Sequence, residues 1–268
     1  MNGKVLIVAG SDSGGGAGIQ ADIKTVTCLG GYAATAITAL TAQNTLGVHG
    51  VVAIEPAFVA QQMRVVLADI GADCIKTGML FDQHIIAAVC AVLDDYPHIP
   101  LLVDPVMVAQ SGDRLLDAGA LAAMRQLLLP RAVLITPNLP EAEALLGCSI
   151  NDLPSQQQSA RDLLAQTGAT AILLKGGHAN GDAMHDVYVS AQQEALLSDK
   201  RIATRNNHGT GCTLASAIAT GIAQGLDSYR AVLRARQYLR IALASARDLG
   251  EGHGPVNHGH TVARFDPP

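Results

Sequence analysis

The chain has 268 residues, 49% of them hydrophobic and 15% charged, with a formal net charge of -5 and no run of lysine or arginine. That balance supports a sizeable buried core without a disulfide or metal staple, and it offers no electrostatic footprint for nucleic acid or an anionic membrane. Aromatic residues make up only 3% and tryptophan is absent, which argues against a stacking platform for single strands. Five cysteines, at 28, 74, 90, 148 and 212, are odd in number and never form a CxxC pair. With no secretory leader at the start, they read as reduced thiols in a cytoplasmic protein. No stretch approaches the roughly 18–20 apolar residues that span a bilayer.

Short β-branched runs alternate with longer helical patterns along the chain. The patterning predicts strands at 5–9, 35–41, 74–77, 101–103, 133–136 and 171–175. It predicts helices at 17–29, 56–70, 82–93, 117–128, 141–146 and 155–167, with two long ones at 213–224 and 228–248. Between 175 and 206 the pattern breaks into short polar pieces that read as a hairpin or flap. The alternation predicts an α/β fold built of βαβ units, a mainly parallel sheet covered by helices on both faces. No repeat, low-complexity tract or linker interrupts it, so 1–268 reads as a single domain.

In such a sheet, ligands sit beyond the carboxyl ends of the strands, so the residues just after each strand are the candidates. The run Gly10-Ser11-Asp12-Ser13-Gly14-Gly15-Gly16-Ala17-Gly18 follows the first. Its spacing fits neither G-x-G-x-x-G nor the P-loop pattern, and a glycine-lined substrate pocket is as good a reading as a phosphate cradle. In the next helix Asp22 shares the inward side of Ile19 and Val26; a ligand or the helix dipole could partner it. Gln43 and Asn44 end the second strand. A side-chain amide there could match an aminopyrimidine edge, or serve a turn. Met79 could pack on a flat ring or fill a core gap.

Asp104, before Pro105 and Val106, puts a carboxylate at a strand end. Asn138 and Glu141 have capping-box spacing, and the same oxygen ligands suit a hard cation. Lys175-Gly176-Gly177-His178 offers a cation and backbone to an anion. His253, His258 and His260 invite a metal, but no cysteine or carboxylate pattern joins them, and they read as a packed loop or a subunit contact.

The stretch Asn207-His208-Gly209-Thr210-Gly211-Cys212-Thr213 precedes a small, apolar helix start. A helix N-terminus behind a glycine turn collects free N–H donors and suits phosphate. The same end effect predicts a lowered pKa for Cys212. The other reading is a tight turn with a buried structural cysteine.

Assembled in order, these segments resemble the hydroxymethylpyrimidine/phosphomethylpyrimidine kinases of thiamine synthesis, within the ribokinase-like superfamily. The resemblance rests on 9–22, 38–45, Lys76-Thr77-Gly78-Met79, Asp104-Pro105-Val106, 136–143, Lys175-Gly176-Gly177-His178, 207–213 and Gly254-Pro255-Val256-Asn257-His258. It implies a ribokinase-like fold and a homodimer that uses Mg²⁺ and ATP to phosphorylate the hydroxymethyl group of an aminopyrimidine, then its monophosphate. It implies Cys212 as the base where most of the superfamily has Asp, with Gly209 and Gly211 as the anion hole and Lys175 beside them. Gln43, Asp22, Ala17, Met79 and Val106 would contact the pyrimidine. Asp104, Asn138, Glu141 and Thr210 would face the nucleotide, Asp104 and Glu141 holding Mg²⁺, directly or through water. One departure stands out: Arg236 and Gln237 occupy the place where the family often carries a nucleotide-side lysine. A pyridoxine/pyridoxal kinase, a non-catalytic binder of a vitamin precursor and thiol-nucleophile catalysis through Cys212 are the competing readings.

Overall fold

The computed structural model describes residues 1–107, 119–177 and 183–263. In chain order the elements are β1 (Lys4–Asp12), α1 (Gly18–Cys28), β2 (Tyr32–Asn44), β3 (Gly47–Ala53), α2 (Pro56–Asp69), β4 (Cys74–Thr77), α3 (Gln83–Leu93) and β5 (Leu101–Val103). There follow α4 (Ala120–Ala123, continued by a wide turn over Met124–Leu128), β6 (Ala132–Ile135), α5 (Leu139–Leu146), α6 (Leu153–Thr167) and β7 (Ala171–Leu174). The last are β8 (Ala183–Ser190), β9 (Glu194–Lys200), α7 (Thr210–Ala223) and α8 (Ser228–Ala244).

One sheet runs in the order β3-β2-β1-β4-β5-β6-β7-β8-β9. The strands from β2 to β7 are parallel, and β3, β8 and β9 join antiparallel at the edges. Both faces of the inner strands are covered, which is why they read as unbroken apolar runs. Leu6 and Val8 point into one core with Met63 of α2, Ile85 of α3 and Leu163 of α6. Val5 and Ile7 point into the other with Val26 of α1, Ile218 of α7 and Val232 of α8. Each aliphatic side chain buried this way contributes about 1.5–3 kcal/mol.

Local chemistry sets the helix ends. Asp82, Asp152 and Asp227 cap α3, α6 and α8 through backbone N–H groups. Asn138 and Glu141 close a capping box on α5, which ends at Gly147 in the left-handed region.

The hairpin expected between 175 and 206 is present: β8 and β9 pair antiparallel and extend the main sheet beyond β7. Strand β3 was not predicted, since Gly47 and Gly50 weaken its pattern and its side chains are mostly half-buried or exposed. Asn44 makes the tight turn into it, its Oδ1 accepting from the amides of Leu46 and Gly47. Helices α5 and α6 start two residues before their predicted positions, and the first two residues of the predicted 117–128 helix lie outside the described ones.

Candidate active site

Ladder hydrogen bonds bring several candidate residues to one edge. The amides of Gly78, Asp104 and Thr136 donate to the carbonyls of Val8, Thr77 and Val103, and that of Lys175 to Pro137. Strands β1, β4, β5, β6 and β7 therefore end together, and a cleft of about 760 Å³ opens beyond them. That size suits small-molecule ligands. Cys212, Gly209, Gly211, Lys175, Gln43, Ala17, Met79, Val106, Asp104, Asn138, Glu141 and Thr210 all line it. Asp22 does not.

Helix α7 opens into the cleft without a side-chain cap. Thr213 is the first residue whose amide reaches a helical carbonyl, that of Gly209 at 2.9 Å. The amides of Gly211 and Cys212 precede it and have no acceptor within the helix. Gly209 has φ 78°, and a Cβ there would come 1.9 Å from the carbonyl oxygen of Gly16. Only glycine lets the two loops touch, and the touch faces the helix end toward the cleft.

Opposite this end lie two carboxylates and a lysine. Asp104 Oδ1 accepts from Lys175 Nζ at 3.0 Å and Thr136 Oγ1 at 2.9 Å. Burial alone would raise the Asp104 carboxyl, but Lys175 and then Lys76 hold it below its ordinary value. Its Oδ2 is buried with no partner among the described residues, and a Cβ on Gly211 would sit 3.7 Å from it. Glu141 is buried beside this pair, its Oε2 accepting from the Asn138 amide at 2.8 Å. Such a pair fits Mg²⁺, which commonly takes one or two carboxylates with waters and substrate phosphates. No group of three or more His, Cys, Asp or Glu forms a metal cluster among the described residues. His253, His258 and His260 instead bond Asn207, Thr213 and the Tyr238 carbonyl.

Burial pushes Glu141 up to about 7 from the 4.5 of a free glutamate, and Asp104 adds to the rise against the pull of Lys175. The folded chain binds the extra proton between these values, so this group's stability is present below pH 4.5 and is lost as pH rises to about 7. Glu141→Gln keeps an acceptor for the Asn138 amide and removes that loss. In urea unfolding without Mg²⁺, the variant's stability relative to wild type should rise between about pH 5 and pH 8. A constant difference would assign the shift elsewhere.

Two expectations are corrected here. Asp22 faces inward as its helical position requires, but it is fully buried behind the cleft. Its carboxylate accepts from Lys76 Nζ at 2.9 Å on both oxygens, and from Ser216 Oγ at 2.6 Å. Lys76, also fully buried, lines the cleft floor. Burial alone would lower this lysine, but Asp22 holds its ammonium above the ordinary range. The second correction is to Cys212, whose thiol burial pushes up to about 12 rather than down. Lys76 and the Gly18 amide favour the anion, while Asp22 and Asp104 oppose it. A helix end is worth roughly 0.3–1 kcal/mol, too little to outweigh desolvation and two nearby carboxylates.

The other end of the cleft holds Gln43, Met79, Ala17 and Val106 with two residues not singled out from sequence, Asp12 and His208. Asp12 accepts from the amides of Gly14, Gly16 and Ala17 and from His208 Nε2 at 2.9 Å. Burial would raise its carboxyl, but His208 and these amides lower it. An Asp two residues before a glycine run is a turn-forming signal that could have found it. His208 lies four residues before Cys212 but bonds Asp12 and Gln43 instead, so among the described residues no base bonds the sulfur for thiol-nucleophile catalysis.

Arg236 lines the cleft, and its guanidinium pairs with Asp186 at 2.9 Å and Asp199 at 2.8 Å. Gln237 lies outside the cleft, in a shallow surface hollow. Residues 200–204 with Leu239 and Leu243 supply this wall, which cannot be read from the sequence because no motif marks it. Gly176 is not open to a ligand as expected: its amide donates to Asp186 Oδ1. His178 lies outside the described residues.

A family model described as phosphomethylpyrimidine kinase matches residues 12–257. A hydroxymethylpyrimidine/phosphomethylpyrimidine kinase of Escherichia coli is 45% identical over 258 residues, 95% of this chain and 97% of its own. A thiamine biosynthesis bifunctional protein of Geobacter sulfurreducens is 52% identical over 257 residues; the match covers 96% of this chain, which spans about half (52%) of that relative. Among solved structures, pyridoxal kinase from Staphylococcus aureus in complex with ADP is similar at TM-score 0.89 and 34% identity, over 97% of this chain and 94% of that one. Phosphomethylpyrimidine kinase from Clostridium difficile is similar at TM-score 0.80 and 37% identity, over 89% and 98%. The ribokinase-like fold expected from the sequence is the fold these kinases share.

Proposed function

We infer that this chain, which belongs to the phosphomethylpyrimidine kinase family, phosphorylates 4-amino-5-hydroxymethyl-2-methylpyrimidine with ATP. It then phosphorylates the monophosphate to the diphosphate, as thiamine synthesis requires. The observation that carries this reading is a single cleft with a ring-recognition end at Gln43 and a phosphate-handling end at Asp104, Lys175 and the open start of α7. A non-catalytic binder needs only the first.

The roles follow from position. Gln43 takes the ring's nitrogen and amino edge, and Met79, Ala17 and Val106 pack around it. The hydroxymethyl group then meets Cys212. Free amides of Gly211 and Cys212, with Thr210 and Lys175, hold the moving phosphoryl group and its developing charge. Asp104 and Glu141, near Asn138, hold Mg²⁺, which neutralises the phosphate oxygens when bound. Lys76 supports negative charge on the Cys212 sulfur as the hydroxyl loses its proton. The space beside Gly211, where a Cβ would stay 3.6 Å from Lys175 Nζ, takes the first phosphate for the second round.

A cytoplasmic setting belongs to the same reading: all five cysteines are free, and no helix among the described residues is long and apolar enough to cross a membrane. So does a homodimer, for which exposed Leu40 and Val52, opposite one another on β2 and β3, offer an apolar face.

A second reading, pyridoxal kinase, draws on the likeness to the Staphylococcus aureus enzyme. ADP release with Mg-ATP, run in parallel on the hydroxymethylpyrimidine, its monophosphate and pyridoxal, separates the two. Turnover on both pyrimidines and little on pyridoxal is expected. Preference for pyridoxal would replace the proposed substrate, and no turnover with tight pyrimidine binding would leave a binder.

A further inference from the structure

We propose that His208, anchored by Asp12, is a positioning residue that fixes the orientation of the Gln43 amide and so decides which edge of a heteroaromatic ring the cleft accepts. This rests on the reading of Gln43 as the ring-recognising group.

The argument is one of hydrogen-bond parity. His208 Nε2 lies 2.9 Å from Asp12 Oδ2 and 3.3 Å from Gln43 Nε2, with Gln43 Oε1 on the far side toward Thr41. Asp12 already accepts from three backbone amides, and a carboxylate offers only acceptors. The proton between His208 and Asp12 therefore sits on Nε2. An imidazole N–H presents no lone pair to Gln43 Nε2, so the two N–H groups oppose each other; turning the amide over puts Oε1 in that place, where it shares the His208 N–H with Asp12. The turned amide brings Nε2 to the place that Oε1 holds, 3.2 Å from Thr41 Oγ1, and that hydroxyl donates to the Ser11 carbonyl at 3.0 Å. With its one proton directed to Ser11, Thr41 accepts from the Gln43 NH₂. Every group in the chain Ser11, Thr41, Gln43, His208 and Asp12 is satisfied in this arrangement. The unturned amide places its N–H against that of His208.

The consequence is chemical. Oxygen and nitrogen of an amide have nearly the same shape, so a free glutamine would serve a ring in either sense. Held by His208, Gln43 keeps one N–H and one oxygen lone pair in a set order, and a ring presenting the reverse order is refused. The ring of His208 cannot swing away easily. A Cβ on Gly16 would lie 2.4 Å from its Cδ2, and its backbone amide donates to the Gly254 carbonyl at 3.0 Å.

A double-mutant cycle tests this with the full chain and Mg-ATP, using whichever of hydroxymethylpyrimidine and pyridoxal the wild type turns over faster. Failure of the functional reading would then change the substrate used but leave the coupling between the two side chains measurable. His208→Phe keeps the ring and removes the N–H; it should raise KM for the heterocycle about tenfold, with kcat and the KM for ATP little changed. Gln43→Ala should lose about as much or more, and adding His208→Phe to it should cost little further. His208→Gln, which restores an N–H donor, should recover part of the loss. Full additivity of the two variants would overturn the proposal. So would equal rises in the KM for the heterocycle and the KM for ATP, because that pattern marks a collapsed turn rather than a misdirected amide.

Discussion

Replacing Cys212 by serine should lower kcat for the pyrimidine by about 10²–10⁴-fold while moving its KM by less than about threefold. The range is that of a lost general base, roughly 3–5 kcal/mol of barrier. Serine fills nearly the same space at the start of α7, so the anion-holding amides and the packing around Met79 stay in place. What changes is the proton acceptor. The thiol is pushed up to about 12 in the resting cleft, so the thiolate is scarce before substrate binds. Such a group can still serve, because phosphoryl transfer through a loose transition state asks for the hydroxyl's proton late. The residues that help are near: Lys76 beneath the sulfur and the amide of Gly18 beside it. Steady-state kinetics with both pyrimidines reads the outcome. A variant with near wild-type turnover would remove Cys212 from proton transfer and leave positioning and electrostatics to carry the rate.

The second large effect is structural. Asp22→Asn should destabilise the fold by about 3–5 kcal/mol, because it leaves the Lys76 ammonium fully buried without its counter-charge. In a chain of this size that lowers the melting temperature on the order of 10 °C. Both side chains are 0% exposed, whereas the Arg161–Glu194 pair on the surface is 47% and 37% exposed. Breaking that pair should cost no more than about 1 kcal/mol. The double variant Asp22→Asn with Lys76→Met should recover much of the lost stability, since it removes the unpaired charge as well. It should not recover activity, because Lys76 is the cation that favours the Cys212 anion. Thermal unfolding and ADP release, measured together, separate the two roles. If Asp22→Asn melts with the wild type, the pair is not what keeps this part of the core together.

Short-range physics was legible in the chain alone. The alternation of apolar runs with 3.6-period segments set the βαβ order, and the residues following each run fell where ligands meet such sheets. Asp104, Lys175 and Asn138 were found that way, and Cys212 from the glycine turn that opens a helix, each from its own few neighbours. Asn138 and Glu141 announced their capping box because both partners lie within one turn. Tertiary structure alone decided which distant groups meet. Asp12 and His208 are 196 residues apart, and Asp22 and Ser216 194 apart. No local pattern distinguishes a carboxylate that faces a ligand from one that anchors a buried lysine. The same limit reversed the expectation for Cys212. Its helix end is visible in seven residues, but what outweighs it comes from the packed chain: burial, Asp22 of α1 and Asp104 just after β5. Propensity, period and capping act over a few residues and can be read from them; burial and charge pairing depend on the whole packed chain and cannot.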